Sequence, residues 1–148
     1  MINIFQPKLG KEELKAIGEV FESNWIGKGP KTEEFEKQLS KKIGCSVDNI
    51  TTTTCCTEGI FQILDYLGIG EGDEVILPSI SFIGVGNAIL SRGATPVFCD
   101  VDKRNLNVTS FDISEKITYK TKAVIIIHYG GLPSDMDTIV RICKQNNI

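Results

Sequence analysis

The stretch ITTTTCCTEGIFQILDYL, residues 50–67, decides how the chain is read. Thr51, Thr52, Thr53 and Thr54 are branched at Cβ, which restricts χ1 and favours extended backbone, so they predict a short strand. The period then changes. Ile60, Ile63, Leu64 and Leu67 recur at i, i+3, i+4 and i+7, which places them on one face of a helix, and Thr57 stands just ahead as a natural N-cap. Between the two lies Cys55-Cys56-Thr57, a strand-to-helix turn where free N–H groups and the positive end of a helix dipole converge. Such a turn suits a phosphate, although most turns of this kind bind nothing and Glu58 brings a carboxylate into the first helical turn.

Outward from this stretch, the pattern alternates. Toward the amino terminus, KEELKAIGEVFESN carries Leu14, Ile17, Val20 and Phe21 at helical spacing, and the run breaks at Trp25-Ile26-Gly27-Lys28-Gly29-Pro30. Pro30 is placed to open a second helix, in which Phe35, Leu39 and Ile43 form a narrow apolar stripe and Gly44 caps the end. Toward the carboxyl terminus, residues 74–77 read as a buried strand ended by Pro78. Residues 81–90 then read as a close-packed helix, residues 95–99 as a strand followed by Asp100 and Asp102, and residues 112–117 as a short helix. Residues 123–127 form the most strand-like run of all, leading to His128-Tyr129-Gly130-Gly131. A last helix begins at a Ser134 cap and carries Met136, Ile139, Val140, Ile142 and Cys143 on or near its apolar face.

This βαβα order predicts a three-layer α/β/α fold with a mostly parallel sheet. Ligands of such sheets bind beyond the carboxyl ends of the strands, which gathers the Cys55 turn, residues 78–82, Asp100 to Asp102 and residues 128–131 into one candidate crevice.

Composition bounds the function. In 148 residues, 41% hydrophobic and 24% charged, there is material for one soluble domain. A net charge of −3 and scattered Lys and Arg leave no basic surface for nucleic acid. No apolar run approaches the roughly 20 residues that cross a bilayer, and MINIFQPKLG lacks the order of a secretion signal, so a cytoplasmic protein without membrane contact is expected. The five cysteines (45, 55, 56, 99 and 143) show no metal-ligand spacing, and His128 is the only histidine. No metal site is therefore expected, and the cysteines are expected as buried free thiols.

The succession SNWIGKGPKTEEFE, CCTEGIFQIL, LGIGEGDEVILPSISFIGVGNAIL, GATPVFCDVDKRNLN and KTKAVIIIHYGGLPSDMD resembles the DegT/DnrJ/StrS family of sugar aminotransferases, along the whole chain. The resemblance implies the PLP-dependent transferase fold, aspartate aminotransferase-like and of fold type I. It also implies pyridoxal 5′-phosphate (PLP) as cofactor, and amino transfer from an amino acid, commonly glutamate, to a keto group of a nucleotide-linked sugar in polysaccharide or natural-product biosynthesis.

Carried over by motif, the family's phosphate-binding Ser-Gly-Thr-Ala turn falls on Cys55-Cys56-Thr57-Glu58, so Cys56, Thr57 and Glu58 are implied cofactor-binding residues. Cys56 replaces a glycine and Glu58 an alanine. Phe82 matches the aromatic that stacks on the pyridine ring. Trp25 and Lys28 match a segment near the substrate, and Tyr129, with His128, lines the site; these three, Trp25, Lys28 and Tyr129, are the implied substrate-binding residues. The family's aspartate partner of the pyridine nitrogen and its cofactor-bearing lysine have no counterpart in residues 1–148, so no catalytic residue is assigned. The chain is accordingly expected to be the amino-terminal part of the PLP-binding large domain, a single incomplete domain, inactive alone and prone to self-association, from an enzyme that forms a homodimer. Two other readings remain open: a PLP-dependent sugar dehydratase of the same family, and a non-catalytic α/β binding module that has lost the cofactor.

Overall fold

The computed structural model describes residues 6–148. The chain divides into two compact units, Met1–Thr52 and Thr53–Ile148.

The first unit is helical. Helix α1 (Lys11–Glu22) begins where Glu13 reaches back to the Gly10 amide at 2.6 Å, so an otherwise orphaned donor is satisfied. Helix α2 (Pro30–Ile43) starts on its proline and ends at Gly44 with φ 75°, a left-handed backbone that glycine adopts without strain. Both follow the sequence pattern, but the apolar stripes are not what these helices bury. Leu14, Ile17 and Phe21 are exposed, as are Phe35 and Ile43, and the buried positions of α2 are Glu36 and Ser40.

Glu36 explains the inversion. Its Oε1 accepts the Lys28 ammonium at 2.9 Å, the Thr52 amide at 3.0 Å and the Thr52 hydroxyl at 2.9 Å. Those donors hold its carboxyl below the usual carboxylate range, with the Lys28 bond the largest cause. A carboxylate so surrounded is compensated for its burial.

The second unit is built on a parallel sheet of order β2-β1-β3, with β1 at Glu74–Pro78, β2 at Thr95–Cys99 and β3 at Thr121–Val124. Central β1 alternates its side chains between two cores. Val75 and Leu77 pack with Leu64, Val85, Ala88 and Ile89 of helices α3 (Cys56–Tyr66) and α4 (Ile83–Ser91). Ile76 faces the other way, onto Cys99, Val108, Ile113 and Ile139, beneath α5 (Ser110–Ser114) and α6 (Met136–Gln145). Two helical layers therefore enclose the sheet, and each fully buried Leu or Ile contributes about 1.5–3 kcal/mol of transfer free energy.

Four local expectations are corrected. Residues 51–54 form no strand. The Thr52 and Thr54 amides are taken by the side chains of Glu36 and Glu58, and β-branching does not make a strand without a ladder partner. Helix α3 is capped by Cys55, whose Sγ accepts the Glu58 amide at 3.5 Å, and Thr57 lies inside the helix. Leu64 of that helix is buried, whereas Ile63 and Leu67 are exposed. Strand β3 stops at Val124, with Ile125 N still donating to Ile76 O at 2.8 Å; Pro78 offers no N–H to carry the ladder further. Helix α6 is capped by Asp135, whose Oδ1 accepts the Thr138 amide at 3.3 Å, and Ser134 is buried with its hydroxyl unpartnered among the described residues.

Candidate functional site

The amino end of α3 presents unpaired donors in the second unit. Glu58 N bonds Cys55 Sγ and Gly59 N bonds Cys55 O at 3.2 Å. The Cys56 and Thr57 amides and the Thr57 hydroxyl make no hydrogen bond among the described residues. Two amides and one hydroxyl are thus left at the positive end of a helix of 11 residues, the donor chemistry a phosphate requires.

Glu58 does not occupy this donor set. Its carboxylate turns back onto Thr54, accepting the amide at 3.0 Å and the hydroxyl as well, and takes Gln62 Nε2 at 3.0 Å. The two Thr54 donors keep its carboxyl below the usual range, so it remains charged. Glu58 is therefore a clasp on the turn, oriented by the residues before it.

Phe82 precedes α4 and is 67% exposed. Its ring and the Thr57 methyl converge on Gly84: a Cβ there would stand 2.6 Å from Phe82 Cε1 and 3.1 Å from Thr57 Cγ2. Gly84 is what lets the α3 and α4 termini and the phenyl ring approach one another. The donor set and the cradle together fit a phosphate carried by a flat ring. Sequence reading had missed Gly84, because one glycine in a small-residue helix carries no signal until its neighbours are known.

Cys55 and Cys56 are free but exposed, against the expectation of burial; Cys99 alone of the five is buried. The first two stand at a helix terminus and not on a core face. No cluster of His, Cys, Asp and Glu that could hold a metal ion occurs among the described residues.

Beyond β3 the chain turns through residues 128–132. Gly130 (φ 62°) and Gly131 (φ 81°) take left-handed backbone, which glycine supplies. Tyr129 is 41% exposed here, and its amide donates to Asn107 Oδ1 at 2.8 Å. His128 is exposed, and its Nδ1 accepts the Ser134 amide at 3.2 Å.

Trp25 and Lys28 belong to the first unit. The indole N–H donates to Lys28 O at 2.8 Å, and a Cβ on Gly29 would lie 2.3 Å from the ring, so Trp25 is fixed over the glycine. The Lys28 ammonium is paired with Glu36. A groove of about 680 Å³ runs along this loop, with Val20, Ser23, Trp25, Gly27 and Glu33 among its lining.

A parallel α/β sheet with a phosphate-ready helix terminus and an aromatic beside it defines the class, and comparison with known proteins gives the family. The chain belongs to the DegT/DnrJ/EryC1/StrS aminotransferase family, whose profile matches residues 7–148. It is 47% identical over its full length to dTDP-4-dehydro-2,3,6-trideoxy-D-glucose 4-aminotransferase of Saccharopolyspora spinosa, and spans 38% of that protein.

Among solved structures, the aminotransferase TlmJ of Streptoalloteichus hindustanus superposes with a TM-score of 0.95 at 49% identity, covering all of this chain and 40% of TlmJ. NtdA of Bacillus subtilis, solved with bound cofactor PMP, the amino form of PLP, gives 0.82 at 31% identity, covering 95% of this chain and 33% of NtdA. The fold is that of the PLP-dependent aminotransferases of fold type I, of which the chain represents a fraction.

Proposed function

We propose that the complete protein is a PLP-dependent aminotransferase acting on a nucleotide-linked keto sugar, with glutamate as amino donor, and that residues 1–148 contribute part of its cofactor site. The observation that carries this reading is the donor set of Cys56 N, Thr57 N and Thr57 Oγ1 beside the exposed Phe82 ring. Family membership and the dTDP-sugar named for the Saccharopolyspora relative support the substrate class. Because the chain spans 38% of that relative, the activity is proposed for the complete protein. A homodimer in the cytoplasm, as part of sugar or polysaccharide biosynthesis, goes with this reading.

In it, the Cys56 and Thr57 amides and the Thr57 hydroxyl hold the cofactor phosphate, and the helix dipole favours its charge. Phe82 lies against the flat ring and excludes water from one face. Glu58 orients the turn through Thr54 and contributes no direct contact. Tyr129, and Trp25 with Lys28 on their loop, line the substrate. When bound, PLP supplies an electron sink for the amino-bearing carbon. No residue of 1–148 is assigned the proton transfer.

The test is spectroscopic and kinetic. The complete protein should bind PLP with a visible absorbance change and convert glutamate and a dTDP-linked keto sugar into 2-oxoglutarate and the amino sugar. Thr57→Ala and Phe82→Ala should each weaken PLP binding. A complete protein that binds no PLP would sink the reading.

A further inference from the structure

Asn107 is among the most enclosed polar residues of the chain, 3% exposed, in the loop that follows β2. Both ends of its amide are spent on one target. Oδ1 accepts the Tyr129 amide at 2.8 Å, and Nδ2 donates to Leu132 O at 2.9 Å. These two bonds span the two ends of the residue 129–132 turn, which has few other restraints of its own. Gly131 N reaches His128 O at 3.0 Å and Leu132 N reaches Tyr129 O at 3.1 Å, around two glycines at positive φ.

The residue before it is also unusual. Leu106 has φ 60°, a left-handed conformation that is strained for a residue with a side chain. Leu106 N is tied to Asp102 O at 2.7 Å, and Asn107 N to Asn105 Oδ1 at 3.0 Å. The loop is wound tightly and held by its own bonds, and the side chain delivered inward from it is the Asn107 amide.

A second restraint acts on the same turn. Because His128 Nδ1 accepts the Ser134 amide, the neutral imidazole carries its proton on Nε2. The exposed edge of His128 is therefore a donor. The backbone bonds made by Asn107 and this histidine bond together fix residues 128–134 at the carboxyl edge of the sheet, where ligands of parallel sheets bind.

We propose that Asn107 is a positioning residue for the proposed reaction: it holds the residue 128–132 turn so that Tyr129 and the His128 Nε2–H face the ligand in one fixed arrangement. Asn107 touches no substrate; it acts through the turn. The inference rests on the aminotransferase reading given above. A misplacement of about 1 Å in a binding group is enough to cost on the order of 100-fold in rate.

The experiment uses the complete protein and the variants Asn107→Ala, which loses both bonds, and Asn107→Asp, which keeps the acceptor for Tyr129 N and loses the donor to Leu132 O. Below each variant's melting temperature, kcat/KM for amino transfer to a dTDP-linked keto sugar should fall on the order of 10–100-fold for Asn107→Ala, and at least as far for Asn107→Asp, whose second carboxylate oxygen would stand against Leu132 O. A lowered melting temperature with unchanged kcat/KM per folded protein overturns the proposal, since that is what a purely structural amide would give.

Nitrogen-15 spectra of labelled histidine provide a readout independent of activity. The parent should show His128 as the Nε2–H tautomer, and Asn107→Ala should shift it toward a mixture. An unchanged His128 pattern in Asn107→Ala counts against the proposal even if the parent transfers no amino group. A parent without amino transfer but with a shifted pattern retains the positioning role and removes the reaction assigned to it. Asn107→Ser, small and uncharged, serves both measurements if Asn107→Ala does not fold.

Discussion

The Glu58 carboxylate accepts the amide and the hydroxyl of Thr54, four residues earlier, and so closes the turn that opens α3. A negative charge in a turn proposed to hold a phosphate looks unfavourable from sequence. The structure separates its two effects, charge and clasp. Glu58→Gln keeps an acceptor for Thr54 and removes the charge, so PLP or inorganic phosphate should bind about 2- to 5-fold more tightly, as a charge effect of 0.3–1 kcal/mol at a helix terminus implies. Glu58→Ala removes the clasp too and should gain less than Glu58→Gln. Calorimetric titration of the two variants checks the order; equal gains would show that the Thr54 bonds do nothing for the cup.

Gly84 should matter to the ligand more than to stability. An added methyl at that position meets Phe82 carbons at 2.6 and 2.9 Å and the Thr57 methyl at 3.1 Å, yet the phenyl ring is largely exposed and can swing away. Gly84→Ala also gains helix propensity of about 1 kcal/mol. The urea midpoint should therefore move by less than about 1 kcal/mol equivalent, while PLP affinity falls about tenfold, the scale of losing one aromatic contact. Loss of stability without loss of affinity would place Phe82 away from the cofactor.

What was legible in the sequence divides along physical lines. Strand β2 was read at its observed bounds, α2 from its opening proline to its terminal glycine, and β1 to within a residue, because a buried apolar run or a Pro and Gly pair acts locally. The strand read into residues 51–54 was not there, since pairing depends on a neighbour that propensity cannot supply. The caps at Thr57 and Ser134 were misplaced for a related reason: Cys55 and Asp135 reach the first free amides instead. In the candidate site, the motif pointed to Thr57 and Phe82, whose side chains the structure brings together around Gly84. Gly84 and Asn107 were not legible, because each acts on residues 22 or more positions away, or on a neighbour defined only by folding.

Acid should loosen the residue 100–107 loop only at low pH. The Arg104 guanidinium, bonded to Asp102 at 2.7 and 3.2 Å, together with the Arg104 amide, holds the Asp102 carboxyl down at about 2 from 3.8. A carboxyl lowered in the folded state stabilises above its unfolded value and loses that contribution as pH falls toward the folded one. The window is therefore pH 4 to 2. The urea midpoint of Asp102→Asn should lie below the parent's at pH 7, and the two should converge as pH drops through that window. A difference that persists at pH 2 would show that charge is not its source.

The cysteines should separate by reactivity. Thiolate is the reacting species, and burial, aided by the nearby Asp112 charge, pushes the Cys99 thiol up to about 11. Cys143 is raised as well, by burial. Cys55 and Cys56 are exposed at the amino end of α3. Iodoacetamide at pH 8 should thus alkylate Cys55 and Cys56 well before Cys99, as peptide mapping by mass spectrometry would read. Saturating PLP or phosphate should slow modification of Cys56 in particular, because its amide is one of the three proposed phosphate donors. If Cys56 reacts at the same rate with and without the ligand while Thr57→Ala still abolishes binding, the phosphate is held from the Thr57 side alone.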